Sequence, residues 1–95
     1  MIYRTRKMVT PKDLNAIGTL FGGRVLDWID EEAYIYVTCQ LDSQYVVTRT
    51  IGRIDFLHGA PAGDVVEIGM ATAFVGNTSI TVRAPIRNMK TKKII

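Results

Sequence analysis

From residue 23 to residue 41 apolar side chains recur at spacings of three and four, at Val25, Leu26, Ile29, Ala33, Tyr36, Val37 and Leu41, the period of a helix with a buried face. No other element is so strongly marked. Advancing about 100° per residue from Val25 places these residues on an arc from about 0° to 160°, with Asp27 and Glu31 outside it. Asp30 falls inside, near about 140°, so a carboxylate shares the apolar face. Trp28, Ile35 and Cys39 form a second stripe on the other side, and a helix apolar on two sides is buried on two sides, by a sheet and by another element or subunit. Residues 23–41 are therefore expected to form a central helix with Val25, Leu26, Ile29, Ala33 and Val37 facing the sheet.

Around this helix the chain is rich in β-formers. Residues 2–9 mix Ile, Tyr, Val and Met with basic side chains and suit a short, half-exposed strand that Pro11, Lys12 and Asp13 end. Residues 14–23 are too glycine-rich for a helix and too irregular for a strand, so they are expected to form a shaped loop. Residues 45–57, 64–75 and 78–84 are rich in β-branched and aromatic residues. They are separated by residues 58–63 and by the hairpin signal Gly76-Asn77. A strand, a helix and then consecutive antiparallel strands make an α+β arrangement, a single domain over residues 1–95.

A domain of 95 residues is small enough to be marginal alone, which favours association with copies of itself. With 47% hydrophobic and 22% charged residues the composition is that of a globular soluble protein. The single cysteine, Cys39, excludes an internal disulfide and a Cys-rich zinc site, and it reads as a packing residue. No metal-ligand spacing occurs. No apolar run approaches the length of a membrane span, and the start shows no signal-peptide pattern, so cytoplasmic location is the expectation. The net charge of +3 is modest, but Arg83, Arg87, Lys90, Lys92 and Lys93 crowd together, which favours an anionic partner. Without a nucleic-acid module, a phosphate-bearing small molecule is at least as good a candidate as RNA or DNA.

The run from Pro11 to Ala33, PKDLNAIGTLFGGRVLDWIDEEA, resembles the signature of hotdog acyl-CoA hydrolases, in which an Asn-x-x-Gly loop leads through Gly-Gly into a helix carrying an acidic residue. Val46-Val47-Thr48, Asp55-Phe56, Gly63-Asp64-Val65-Val66 and residues 75–80 extend the match in the family's order. The resemblance implies a hotdog fold, an antiparallel sheet wrapped around a central helix. That fold has one strand, the helix and four more strands, whereas this chain stops at residues 92–95, where the last strand is due to begin. The expectation is an incomplete view of a longer protein. The missing strand normally lies between the second and fourth.

The resemblance also implies an activity, hydrolysis of fatty or short-chain acyl-CoA to the free acid and CoA, with no cofactor beyond the CoA of the substrate. Asp30 matches the catalytic acidic position, as general base for water or, less directly, as a nucleophile forming an anhydride. On an apolar face it is expected to be partly desolvated, with a raised pKa. Asn15 matches the loop asparagine that donates to the thioester carbonyl or the water, although asparagine equally often shapes its own loop. In the family these two groups assemble between subunits. Backbone N–H groups of Gly22, Gly23 and Arg24 at the helix start suit developing oxyanion charge, and glycine allows close approach. Thr19 and Thr48 are positioning candidates. Gly76, Asn77, Thr78 and Ser79 resemble the loop beside the CoA pantetheine and phosphates, which Arg83, Arg87 and Lys90 could meet, while hairpin chemistry accounts for Gly76-Asn77 without a ligand.

Two rival functions differ in chemistry. A noncatalytic acyl-CoA-binding or regulatory module would keep the pocket without needing Asp30. A dehydratase on hydroxyacyl thioesters relies on a histidine paired with an acid, and His58, the sole histidine, sits among turn residues and reads as a surface loop residue. A homodimer or higher homo-oligomer is expected, with sheets joined edge to edge through residues 45–57.

Overall fold

The structure is a computed structural model that describes residues 2–42 and 46–95. In chain order it contains β1 (Ile2–Met8), a 3-10 turn (Pro11–Asp13), α1 (Gly22–Leu41), β2 (Val65–Val75), β3 (Ile80–Arg83) and β4 (Ile86–Asn88). The helix starts one residue before the expected position. Asp42 ends it in the left-handed conformation, with φ of 51°.

β2 is the centre of the antiparallel sheet. Residue pairs Arg6–Glu67 and Lys7–Val66 set β1 along one edge, and Val66–Asn88 and Ile68–Ile86 set β4 along the other. β3 continues beyond β4 against the far half of β2. Pro85 separates them, because its ring nitrogen has no proton to donate to the ladder, yet its carbonyl still accepts from Gly69 N–H at 2.9 Å. The near half of β2 is buried and the far half is exposed, so the β2–β3 hairpin reaches past the helix and the molecule measures 42 × 23 × 21 Å.

The core joins Val9, Leu20, Val25, Ala60, Val66, Ile68 and Ile86, with Leu14, Trp28, Ile29 and Met70 packed around it. Strand alternation explains the arrangement: Val66 and Ile68 face the helix, and Glu67 between them faces away. Thr5, on the helix side of β1, donates to Glu32 of α1 at 2.7 Å and fixes the helix along the strand.

Three expectations are corrected. Residues 46–57 form no strand, and Tyr45 lies outside the described residues. A strand needs a hydrogen-bonded neighbour, and no described residue pairs with this segment. Ile94 pairs with Arg87, and Ile95 N–H donates to Ile86 O at 2.9 Å. A strand at 86–88 was not expected; Asn88 creates it by closing the following turn, its side-chain oxygen accepting from Lys90 and Thr91 N–H at 2.9 and 3.1 Å. The second helical stripe is divided: Trp28 packs on the core, while Ile35 and Cys39 are exposed.

Candidate active site at the loop-to-helix junction

The segment from Thr10 to Arg24 is built around Asp13. Its Oδ2 accepts from Thr10 N–H at 2.9 Å and from the Thr10 hydroxyl at 2.7 Å, and its backbone carbonyl accepts from Phe21 N–H at 2.8 Å. Its Oδ1 lies 3.1 Å from Arg24 Nε, an ion pair without aligned hydrogen-bond geometry. Asp13 is buried, and the Thr10 N–H bond, outweighing the opposing effect of burial and helped by the Thr10 hydroxyl, Arg24 and Lys12, holds its carboxyl below the ordinary carboxylate range.

Leu14 and Leu20 pair across the base of the loop, both anchored in the core, and the polar residues project between them. Asn15 shapes that loop. Its Oδ1 accepts from Ile17 and Thr19 N–H, each at 3.1 Å, and its Nδ2 donates to Thr19 Oγ1 at 3.0 Å. Gly18 adopts φ of +88°, which the tight return to Thr19 requires. Asn15 and Thr19, two candidates from the sequence, are thus bonded to each other. One Nδ2 proton of Asn15 remains to donate outward.

At the helix start Phe21 supplies no side-chain cap, and the first turn holds no acidic residue. Gly22 and Gly23 lie under aromatic rings: a Cβ on Gly22 would meet Phe56 Cζ at 3.2 Å, and one on Gly23 would meet Phe21 Cε2 at 2.6 Å. The glycines let the rings settle onto the backbone at the end where the helix dipole is positive.

Two further candidates meet on the other side of α1. The Thr48 hydroxyl donates to Asp30 Oδ1 across 18 residues of sequence. Both line an open groove of about 840 Å³ with Lys7, Trp28, Ile35 and Val47. The expectation of a desolvated Asp30 is corrected for the single chain, because Asp30 is exposed. Trp28 and Ile29 pack on the core, while Asp30, the next residue, opens on the groove instead of the sheet. Asn15, Gly22 and Gly23 do not line this groove, so a single chain holds the candidates as two groups.

The hairpin residues Gly76, Asn77, Thr78 and Ser79 connect β2 to β3, with Gly76 N–H donating to Ser79 O at 2.8 Å, and Arg83 is exposed at the end of β3. None of them lines the groove. Arg87 and Lys92 are committed elsewhere: with Arg6 they surround Glu67, at 3.0, 3.4 and 3.0 Å. Arg87 also stacks on the Tyr3 ring, 3.7 Å from its centroid. Burial pushes the Glu67 carboxyl up, but hydrogen bonds from Arg87, Arg6 and Lys92 override it and leave the pKa lowered. His58 Nδ1 bonds to Ile94 O at 2.7 Å, tying its loop to the chain end. Among the described residues no group of His, Cys, Asp or Glu side chains is arranged to hold a metal, and no helix is long and apolar enough to cross a membrane.

Sequence reasoning passed over Asp13 and Glu67. Thr10-Pro11-Lys12-Asp13 carries a local signal, a capping threonine with an acid three residues on and proline at the first position. Glu67 carries none, since its partners come from 61, 20 and 25 residues away.

Comparison with known proteins follows this geometry. The model of the Thioesterase superfamily matches residues 17–95. An uncharacterized acyl-CoA thioester hydrolase of Buchnera aphidicola subsp. Baizongia pistaciae is 34% identical over 86 residues, 90% of this chain and 62% of the relative. The chain therefore spans about three-fifths of that curated relative's length. Among solved structures, the hexameric thioesterase y2039 from Yersinia pestis matches with a TM-score of 0.87 and 27% identity over 98% of this chain and 77% of that one. An apo-hexameric acyl-CoA thioesterase matches with a TM-score of 0.81 and 35% identity over 96% and 59%.

Proposed function

This chain belongs to the thioesterase superfamily, and from that membership we propose that it hydrolyses fatty or short-chain acyl-CoA to the free acid and CoA. Its α+β fold, a helix against an antiparallel sheet, is the hotdog-like fold of the thioesterases it matches. The observation that carries the reading is the pairing of Asp30 with Thr48 at a groove walled by Trp28, Ile35 and Val47. A carboxylate oriented by one hydroxyl keeps a second oxygen to take a proton from water.

In the reaction, Asp30 accepts that proton as the water oxygen bonds to the thioester carbonyl carbon. The charge passing to the carbonyl oxygen is met by N–H groups at Gly22 and Gly23 and by the outward Nδ2 proton of Asn15. Collapse breaks the C–S bond, and the departing CoA sulfur takes the proton from Asp30. No cofactor enters this chemistry. Gly76, Asn77, Thr78, Ser79 and Arg83 are the candidates for the CoA portion, and a cytoplasmic location suits a CoA substrate.

Both groups of site residues act together when a second copy brings one chain's Asn15 loop to another's Asp30. The relatives named as hexameric support a homo-oligomer. Residues 46–57 are the proposed contact, because they present Val47 (86% exposed), Phe56 (55%) and Leu57 (61%) without a β-partner among the described residues.

Asp30→Asn tests the mechanism. Hydrolysis should fall at least about 100-fold, the lower end for removing a general base, while a nonhydrolysable acyl-CoA still binds. Asn15→Ala should cost less if Asn15 only orients the carbonyl. Wild-type turnover by folded Asp30→Asn, free of contaminating thioesterase, would remove Asp30 from the mechanism, whereas acyl-CoA binding without turnover by the wild type would establish the noncatalytic acyl-CoA-binding module.

A further inference from the structure

We propose that Asp13, acting through Arg24, is a positioning residue that sets where the Gly22 and Gly23 amides stand relative to the Asn15 loop; this rests on the thioesterase reading above. Asp13 does not line the groove, although its partner Arg24 does, and it joins the two ends of the segment that carries the Asn15 loop and the glycine amides. On the near side its carboxylate takes both donors of Thr10, and on the far side its carbonyl takes Phe21 N–H while Oδ1 faces Arg24. Residues 14–21 are therefore a loop whose two flanks meet at Asp13, through its side chain on Thr10 and Arg24 and through its backbone carbonyl on Phe21. Arg24 follows Gly22 and Gly23 directly, so the ion pair holds the first turn of α1 where the amides emerge.

The arrangement is more elaborate than an ordinary loop needs. Leu14 and Leu20 already close the loop with apolar contacts, and Leu20 N–H is satisfied by Ala60 O at 2.8 Å. Retaining a buried carboxylate beside them costs desolvation that an apolar residue would avoid. What the carboxylate adds is a charge contact that draws Arg24, and with it the first turn of α1, toward the base of the loop, and placement matters at an oxyanion site because a shift of about 1 Å can cost about 100-fold in rate. Arg24 in turn lies 3.6 Å from Asp27 one turn along the helix, which limits the guanidinium to one side.

The experiment compares Asp13→Asn, Arg24→Met, their double variant and Thr10→Val in the oligomeric protein, reading kcat, KM and Tm for acyl-CoA hydrolysis. Asn keeps an oxygen for Thr10 but loses the charge that holds Arg24. Asp13→Asn and Arg24→Met should each lower kcat about 10-fold or more with KM within about threefold, and the double variant should be no slower than the slower single one. Thr10→Val should lower Tm and spare kcat, which separates positioning from mere stability. Additive losses in the double variant would overturn the proposal, since Arg24 also lines the Asp30 groove and the double variant separates an effect through Asp13 from one in the groove; a kcat within twofold of wild type in folded Arg24→Met overturns it even if Asp13→Asn fails to fold. Absence of turnover in the wild type would overturn the thioesterase reading and this inference with it.

Discussion

Gly23→Ala separates what the helix start does for stability from what it does for chemistry. A methyl group at this second helical residue would stand 2.6 Å from Phe21 Cε2, 3.2 Å from Cδ2 and 3.3 Å from Cζ, against about 3.5–4.0 Å for comfortable carbon contact. Something must move by about 1 Å, and the ring is free to do so, because Phe21 is 54% exposed. Moving an exposed ring off its preferred rotamer costs about 0.5–1.5 kcal/mol. Replacing glycine by alanine in a helix returns up to about 1 kcal/mol, less in the first turn. The two nearly cancel, so stability should change by about 1 kcal/mol or less. Chemistry should not escape so lightly: the ring that the methyl displaces crowds the helix start where a thioester oxygen must approach, and losing one oxyanion donor costs about 2.7–4 kcal/mol, or about 100- to 1000-fold. Thermal melts paired with thiol release from an acyl-CoA measure both quantities on one sample. An unchanged kcat/KM in a variant of unchanged Tm would remove the Gly23 amide from the reaction.

Three other perturbations test the remaining parts of the account. Ile68→Ala empties the middle of β2 where it meets the core, and should cost about 2–5 kcal/mol by denaturant unfolding, a large share of the total for a domain of this size. Asp13 and Glu67 both titrate below their ordinary values of 3.8 and 4.5, so their stabilisation is present above those values and is lost as pH falls through the lower folded-state values; Trp28 fluorescence should report cooperative acid unfolding there, with the acid transition less steep in Glu67→Gln. Val47→Asp combined with Phe56→Asp should convert a homo-oligomer to smaller species by sedimentation, and a wild type that is monomeric at micromolar concentration would refute the assembly.

The helix and its loop were legible because their signals are local. Apolar spacing found α1 to within a residue, and glycine punctuation found the loop that Asn15 and Gly18 shape. Gly76-Asn77 likewise marked the β2–β3 turn. What failed depends on partners distant in sequence. Residues 46–57 have strand composition, but a strand exists only beside another, and no described residue pairs with them. The Glu67 cluster is assembled across β1, β2 and the turn after β4, which no pattern in Val65-Val66-Glu67-Ile68 announces. The placement of Asp30 failed for a subtler reason: it lies within about 20° of buried Val37 on the helix, but burial also depends on what covers each turn, and Asp30 opens on the groove.

That open position makes sense for a site completed by association. A base buried within one chain would carry its desolvation cost in every folded monomer, a serious burden where net stability is only about 5–15 kcal/mol. Asp30 avoids it by standing at the rim of an open groove, held by Thr48 and flanked by Val47, an apolar side chain 86% exposed. A second copy laid over Val47, Phe56 and Leu57 would gain apolar burial at about 25 cal/mol per Å² while excluding water from Asp30. The cost of desolvating the base then falls on the interface, where hydrophobic burial offsets it, and the hydrogen bond from Thr48 strengthens as the local dielectric falls. In the proposed assembly the same movement would bring another chain's Asn15 loop toward the groove. Under the proposed function, exposure of Asp30 in the single chain and the unpaired apolar segment beside it would be two sides of one arrangement, in which association would supply both the low-polarity surroundings and the second half of the catalytic groups.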